Sequence, residues 1–425
     1  MITKKTVILS LIPFTIIGLY IFLFGVNIPF LDQWDVVPLL IKKQQGILSL
    51  ADLFAQHNEH RPFFPRLIWI TLSEFTNYNV NAELWVNLLI AAGTFVFVAD
   101  RSIKMWARLE ISSPPFLIPL MSLLVFNLGQ RESWLQGFQT IMFLGTACVI
   151  IGVFMLAENS SWRNFLAAIV LGIIATYSMA NGLLYWLIGL VIIFITTSKK
   201  MRFIRIALWL FLSGMSVGLF LTGWGSGGNL NLGYVFTHIL EWSVWILNFL
   251  GAPIMTLSYA AWVFGSISVV LYILIIVGVI RTGQWRLLIP YFAIVFFILV
   301  TSLSISLGRM ELGMNQSAVP RYLTMSVWYW VSLLALLPLL NIKRLYQRAL
   351  YSMLAVSAAF LMIGGGWSGY KNIYQRIRPV YEAVTSGQVI SDELLSRIYS
   401  DPVIARSRLD FLCKNNLSVC TDETP

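Results

Sequence analysis

The chain has 425 residues, of which 58% are hydrophobic, 14% aromatic and only 11% charged, with a mean hydropathy of +0.78. A soluble globular protein is about a quarter charged, so a water-exposed fold is excluded, and so is disorder, for which there is far too much apolar surface. The net charge of +10 reads as membrane topology before it reads as nucleic-acid binding, because Lys and Arg collect in cytoplasmic loops and no basic stripe interleaved with aromatics lies outside the apolar runs.

A bilayer core takes about 20 apolar residues per helix. Such runs fall near 8–30, 79–99, 114–128, 138–157, 164–180, 183–197, 203–223, 259–280, 287–307, 321–340 and 349–366. The expectation is an all-α, polytopic transmembrane protein of about 11 spans (10–12) with a long first extracytoplasmic loop. The first run is too long for a signal peptide and lacks a small-residue cleavage site, so it reads as a retained span. With the N-terminus inside, the cytoplasmic segments hold 15 basic residues against three acidic ones, Asp100, Glu110 and Glu158; the outer segments have no such excess, as the positive-inside rule requires. Parity then makes 224–258 extracytoplasmic, with 237–254 either an amphipathic or re-entrant helix at the outer face or a twelfth span. The division expected is a membrane unit over 1–366 and a small outer tail over 367–425. That tail is charge-balanced and holds Cys413 and Cys420, a pair that can close a disulfide on an oxidising side and stays reduced otherwise. Cys148 reads as simple packing in the membrane.

An ion-coupled transporter carries ionisable groups near the middle of several spans. Here the span centres are nearly free of charge, and the acidic residues gather just past the outer ends. The first outer loop opens with Asp32-Gln33-Trp34-Asp35. Two carboxylates at i and i+3 share a helix face; one of them suits a general base, and Trp34 suits sugar stacking. The plainer reading is a capped, solvated loop start. Farther on, His57-Asn58-Glu59-His60-Arg61 invites a divalent metal, although helical metal pairs also occur at i,i+4. Phosphate or sugar binding with Arg61 and Arg66 as cations is the stronger reading, and a hydrated helix start the bland one.

The second outer turn, Gln130-Arg131-Glu132-Ser133-Trp134-Leu135-Gln136-Gly137, sets opposite charges beside a Trp where a connector needs only small polar residues. Asn181-Gly182 reads as a tight turn. Before the tenth span come Arg309, Glu311 and Pro320-Arg321-Tyr322. Outer arginines oppose the topology bias; a planar fork for a phosphate head explains them, as does interfacial snorkelling.

Taken in order, these residues resemble the GT-C class of membrane glycosyltransferases, which use polyprenyl-phosphate sugars. The matching features are a first span leading into a long outer loop with an acidic start (Asp32, Asp35), an acid in the second outer turn (Glu132), and late arginines (Arg309, Arg321). The HNEHR, NGL and PRYL segments are also similar to those of bacterial envelope proteins of that class. The resemblance covers about residues 1–340 and lacks the large C-terminal domain of bigger members. It implies a bacterial plasma-membrane enzyme transferring sugar with inversion on the extracytoplasmic face. Asp32 would be the leading base and Asp35 the second, and Glu132 a further acid of the cavity. Arg309 and Arg321 would bind phosphate, with Tyr322 as hydrogen-bond partner. Trp34, His57, Glu59, His60, Arg61 and Arg131 complete the expected substrate contacts. The partners implied are the lipid-linked donor, a glycan or lipid acceptor and membrane lipid; no cofactor is required, and a divalent metal is compatible. Two alternatives stay open, a glycan polymerase or ligase using diphosphate-linked donors and a lipid or glycan flippase.

Overall fold

The computed structural model of the chain describes residues 3–111, 114–158, 161–225, 232–283, 285–340 and 343–421. Residues 226–231 of the outer segment 224–258, the side chains of Arg281 and Arg344, and residues 422–425 of the tail lie outside this description. Among the described residues there is no strand. The helices are α1 (Lys4–Phe24), α2 (Val37–Gln44), α3 (Leu50–Phe54), α4 (Phe63–Thr76), α5 (Val80–Arg108), α6 (Leu117–Val125), α7 (Arg131–Leu135), α8 (Thr140–Glu158), α9 (Trp162–Thr176) and α10 (Leu184–Thr196). They continue with α11 (Lys199–Leu221), α12 (Leu232–Thr237), α13 (Ile239–Gly251), α14 (Ala261–Thr282), α15 (Ile289–Arg309), α16 (Leu323–Leu336), α17 (Arg344–Gly369), α18 (Gln375–Thr385), α19 (Asp392–Ser396) and α20 (Pro402–Lys414).

Among the described residues, eight helices are long and apolar enough to cross a bilayer: Lys4–Phe24, Val80–Arg108, Gly137–Glu158, Lys199–Leu221, Ala261–Ile280, Trp285–Leu312, Pro320–Leu339 and Leu345–Thr385. The chain is a polytopic helical membrane protein. The other apolar runs form shorter helices: α9 has 15 residues, α10 and α13 have 13 each, and α6 has nine. At 1.5 Å per residue these cover about 14–23 Å, short of a core of about 30 Å.

The break after α6 has a visible cause. Asn127 accepts a hydrogen bond from Gly129 N–H at 2.8 Å and donates to Ala358 O at 2.8 Å, fixing a 3₁₀ turn over Leu128–Gln130. Gln130, Ser133, Trp134 and Gln136 are all buried. The segment expected as the second outer turn is therefore a one-turn helix, α7, between two 3₁₀ turns, packed inside protein, the setting in which broken helical backbone is tolerated at such a place. The close approach of α13 and α14 rests on two glycines, since a Cβ on Gly251 would strike Ala261 O and one on Gly265 would strike Leu247 O.

Contacts between helix ends sort the bundle into two ends. At one, Arg101 Nη1 lies 2.9 Å from Glu158 Oε2 and Trp106 Nε1–H reaches Ala335 O at 2.8 Å, joining the C-termini of α5, α8 and α16. At the other, the first loop meets the C-terminus of α11 and the α9–α10 junction through Arg61 and Phe64, and meets the C-terminus of α15 through Glu59. The alternation is what a chain crossing back and forth requires.

The apolar run 349–366 sits inside a longer helix, because α17 continues through a π turn at Tyr370–Tyr374 into α18. The tail then turns back. Ser391 caps α19, and Asp401 caps α20 by accepting from Val403 N–H and Ile404 N–H, with Pro402 at the first helical position. Leu31 N–H donates to Ile398 O and Ser418 N–H to Asn77 O, each at 2.8 Å. A disulfide joins Cys413 to Cys420. The tail is thus laid directly on the first loop.

Candidate functional site

The acidic start of the first loop is a 3₁₀ helix, Leu31–Val36. Three residues per turn eclipse positions i and i+3, so Asp32 and Asp35 stack on one face while Gln33 and Trp34 point inward and are buried. Gln33 locks the turn, its Oε1 accepting from Phe30 N–H at 3.3 Å and its Nε2 donating to Glu83 Oε2 at 3.0 Å. Gly137 is required beside that pair, since any Cβ there would run into the Glu83 carboxylate. Trp34, expected as a stacking surface for sugar, has no exposed area and is a packing residue.

Asp32 and Asp35 differ sharply in their partners. Asp35 Oδ1 accepts from Tyr399 OH at 2.8 Å and from Arg408 Nη1 at 2.8 Å, both donors coming from the tail. No side-chain hydrogen bond joins Asp32 to any described residue. Its carboxyl sits above the usual carboxylate range because burial disfavours the charge; His57 and Arg321 nearby pull it down, Asp35 and Glu59 push it up.

His57 and His60 do not share a helix face as metal pairs do. They bracket a tight turn, His57 N–H to His60 O and His60 N–H to His57 O, both 2.9 Å, with Asn58 at φ 50°. Their side chains part company. His57 packs on Phe138, ring centroids 4.8 Å apart, and its Nδ1 lies 3.8 Å from Asp35 Oδ2. His60 is buried; its Nδ1 accepts from Ala180 N–H at 3.0 Å, and burial holds its pKa below the ordinary imidazole value. Among the described residues, the His/Cys/Asp/Glu group compact enough for a metal ion is Asp32, Asp35 and His57, with ligating atoms within 4.8 Å of one another. Asp35 Oδ1 is occupied by Arg408, so a divalent cation here would be held by Asp32, the second Asp35 oxygen and His57.

Two arginines from distant helices reach the same patch. Arg321 Nη1 lies 3.5 Å from Glu132 Oε2 and its guanidinium 5.4 Å from the centre of the Tyr322 ring. Tyr322 is largely buried, with its ring against the Arg321 guanidinium. Arg309 Nη2 lies 3.8 Å from Glu59 Oε1, and His60 Nε2 lies 3.7 Å from the same oxygen. Asp32, Asp35, His57, Glu59, Glu132, Arg309 and Arg321 are thus brought together.

Two expected cations are not in that group. Arg61 is buried, with Nε donating to Phe220 O at 2.6 Å, Nη1 to Phe54 O at 2.8 Å and Nη2 to Thr222 O. Its fork satisfies backbone carbonyls at the end of α11, the orphan acceptors every helix leaves. Arg66 does the same for Leu53 O at 2.9 Å and for Ala55 O, and burial lowers its pKa to about 10. Arg131 lies against the last long helix: a Cβ on Gly369 would come within 3.1 Å of its Cβ and meet Tyr20 OH. The residues the sequence did not point to are Tyr399 and Arg408, which lie 364 and 373 positions from Asp35 in a charge-balanced tail with no motif.

Comparison with known proteins returned no match to a family model, a curated protein or a solved structure.

Proposed function

We propose that the chain is an integral membrane glycosyltransferase that moves a sugar from a polyprenyl-phosphate donor to a glycan or lipid acceptor, inverting the anomeric carbon. The observation that carries this reading is the division between two stacked carboxylates. Asp35 is tied down by Arg408 and Tyr399, whereas the Asp32 side chain has no hydrogen bond to a described residue, is pushed up by burial, and lies within the electrostatic reach of Arg321. A general base works best when its pKa is moved toward the operating pH, and a half-buried carboxylate beside a cation fits that requirement.

In the proposed reaction the Asp32 carboxylate takes the proton of an acceptor hydroxyl as that oxygen attacks C1 of the sugar. The C1–O bond to phosphate breaks, and its electron pair leaves on the polyprenyl phosphate. Arg321 and Arg309, both about a third exposed, offer forks for that dianion, whose charge grows as the bond breaks. Glu132 and Glu59 orient the two guanidinium groups while the donor site is empty. Should the enzyme use a divalent cation, Asp32, Asp35 and His57 would hold it, and it would add positive charge beside the leaving phosphate.

Supporting the extracytoplasmic orientation are the Lys/Arg excess at the opposite end of the bundle and the Cys413–Cys420 disulfide. Membranes containing the protein should release lipid phosphate and form a new glycoside from a radiolabelled polyprenyl-phosphate sugar. Full transfer by an Asp32→Asn variant would remove the proposed base, and vesicles that translocate labelled lipid without forming product would replace the enzyme with a flippase.

A further inference from the structure

A cleft of about 310 Å³ opens between the C-terminal turns of α2, α4 and α20, at the lower edge of the range of small-molecule sites, roughly 300–1,000 Å³. We propose that it binds a short, neutral, hydroxyl-rich glycan; that this glycan is the acceptor rests on the glycosyltransferase reading above. Three planar amides converge there from separate elements: Gln44, Asn77 and Asn415. Gln44 Nε2 donates to Asn415 Oδ1 across one rim. The Asn77 side chain makes no hydrogen bond to a described residue, so both its donors and its acceptor are open to sugar hydroxyls. The two charges in the lining, Lys43 and Glu74, pair with each other, which leaves no net charge to attract an ionic ligand. Phe411 supplies a half-buried flat face for the C–H side of a sugar ring.

The walls are fixed before any ligand arrives. Asn77 closes α4 in the left-handed conformation, φ 50° and ψ 42°, and its carbonyl accepts from Ser418 N–H at 2.8 Å. Asn415 and Leu417 lie inside the loop closed by the Cys413–Cys420 disulfide. Preformed walls reduce the ordering cost of binding. The eight residues of α2, about 12 Å of helix, run from the end of the Asp32–Asp35 turn to this cleft, and the acceptor reading requires the glycan to span that length.

The test is saturation-transfer NMR on the full-length protein in detergent, without donor, using chitotriose, maltotriose and mannotriose, with trigalacturonic acid as the charged comparison. At least one neutral trisaccharide should receive saturation, and the acidic one none. Phe411→Ala and Asn415→Leu should each weaken binding roughly tenfold, the scale of one lost contact or hydrogen bond. Phe411→Trp, which keeps a ring, should retain it and guards against misfolding as the cause. Asp32→Asn should bind as the parent does; binding in that variant, whatever its turnover, separates this proposal from the fate of the catalytic one. Absence of transfer to every neutral trisaccharide, preference for the acidic one, or binding unchanged in Phe411→Ala and Asn415→Leu overturns it.

Discussion

Arg408 Nη1 donates to Asp35 Oδ1 and to Trp34 O, each at 2.8 Å, and so ties the C-terminal tail to the first loop across 373 residues of chain. The same nitrogen lies 3.3 Å from Tyr399 OH, whose hydroxyl donates to the same carboxylate oxygen. Both charged partners are partly buried, with side-chain exposures of 17% and 32%. Removing one member of such a group leaves the other without its partner, at a cost of about 1–3 kcal/mol. Arg408→Ala should therefore lower the thermal midpoint and cut transfer at least tenfold. Arg408→Lys should recover only part of both, because an ammonium is a compact point charge and lacks the guanidinium's pre-organised planar fork. A stable Arg408→Ala protein with parental kcat would show that the tail merely rests on the loop.

Much of this arrangement was legible in the sequence, and the illegible part has a physical reason. Hydropathy finds long membrane helices because about 20 apolar residues have no cheaper home; at 114–128, 164–180 and 183–197 the helices are shorter, with nine, 15 and 13 residues, and on the last two Leu166, Val170, Leu187 and Val191 stay exposed. The i,i+3 spacing of Asp32 and Asp35 carried over, through a 3₁₀ turn. For Trp34 and Arg61 residue type misled: a large ring and a guanidinium serve packing and helix ends as readily as ligands. The Arg408 and Tyr399 clamp was invisible, because a contact spanning most of the chain leaves no local pattern.

Asp32 gives a prediction with a definite sign. Its carboxyl is raised by burial, while His57 and Arg321 lower it and Asp35 and Glu59 raise it. A base must be unprotonated, so transfer should fall on the acid side at a pH above the ordinary carboxylate value, with slope one. The folded form also holds its proton more tightly than the unfolded chain does. Stability from this group is then present at low pH and is lost as pH rises through the window between the two values. Asp32→Asn should abolish transfer and at neutral pH leave the thermal midpoint unchanged or higher. A bound divalent cation would move the acid limb downward, and removing it with chelator would move the limb back. A pH profile flat down to the usual carboxylate range, in the presence of chelator, would sink the assignment.

Arg321 and Glu132, 3.5 Å apart, are proposed to exchange partners when donor phosphate enters. Arg321→Gln should raise KM for the lipid-phosphate donor by roughly ten- to hundredfold, the worth of a charge-assisted hydrogen bond, and Arg321→Lys should fall between. Glu132→Gln frees the guanidinium, so KM for the donor should not rise. Initial-rate kinetics at several donor concentrations separate this from a folding defect, which would lower kcat with KM unchanged.

Trp34 and Arg61 test the opposite role. Trp34 is fully enclosed, and Trp34→Ala opens a cavity where its indole packed, at a cost of about 3–5 kcal/mol. Trp34→Phe should recover much of that stability, because an aromatic ring still fills part of the space. Arg61→Leu removes the donors to Phe220 O, Phe54 O and Thr222 O, at roughly 1–3 kcal/mol for each carbonyl left unpaired. Arg61→Lys should recover little, since one ammonium on a flexible stem cannot reach three carbonyls from two helix ends. Both losses should appear as lower thermal midpoints in detergent and as less folded protein in the membrane. Donor and acceptor KM of the surviving protein should stay at the parental values, because neither side chain reaches the patch where Asp32 and Arg321 meet. A tenfold rise in either KM at full stability would return Trp34 or Arg61 to the ligand-binding set.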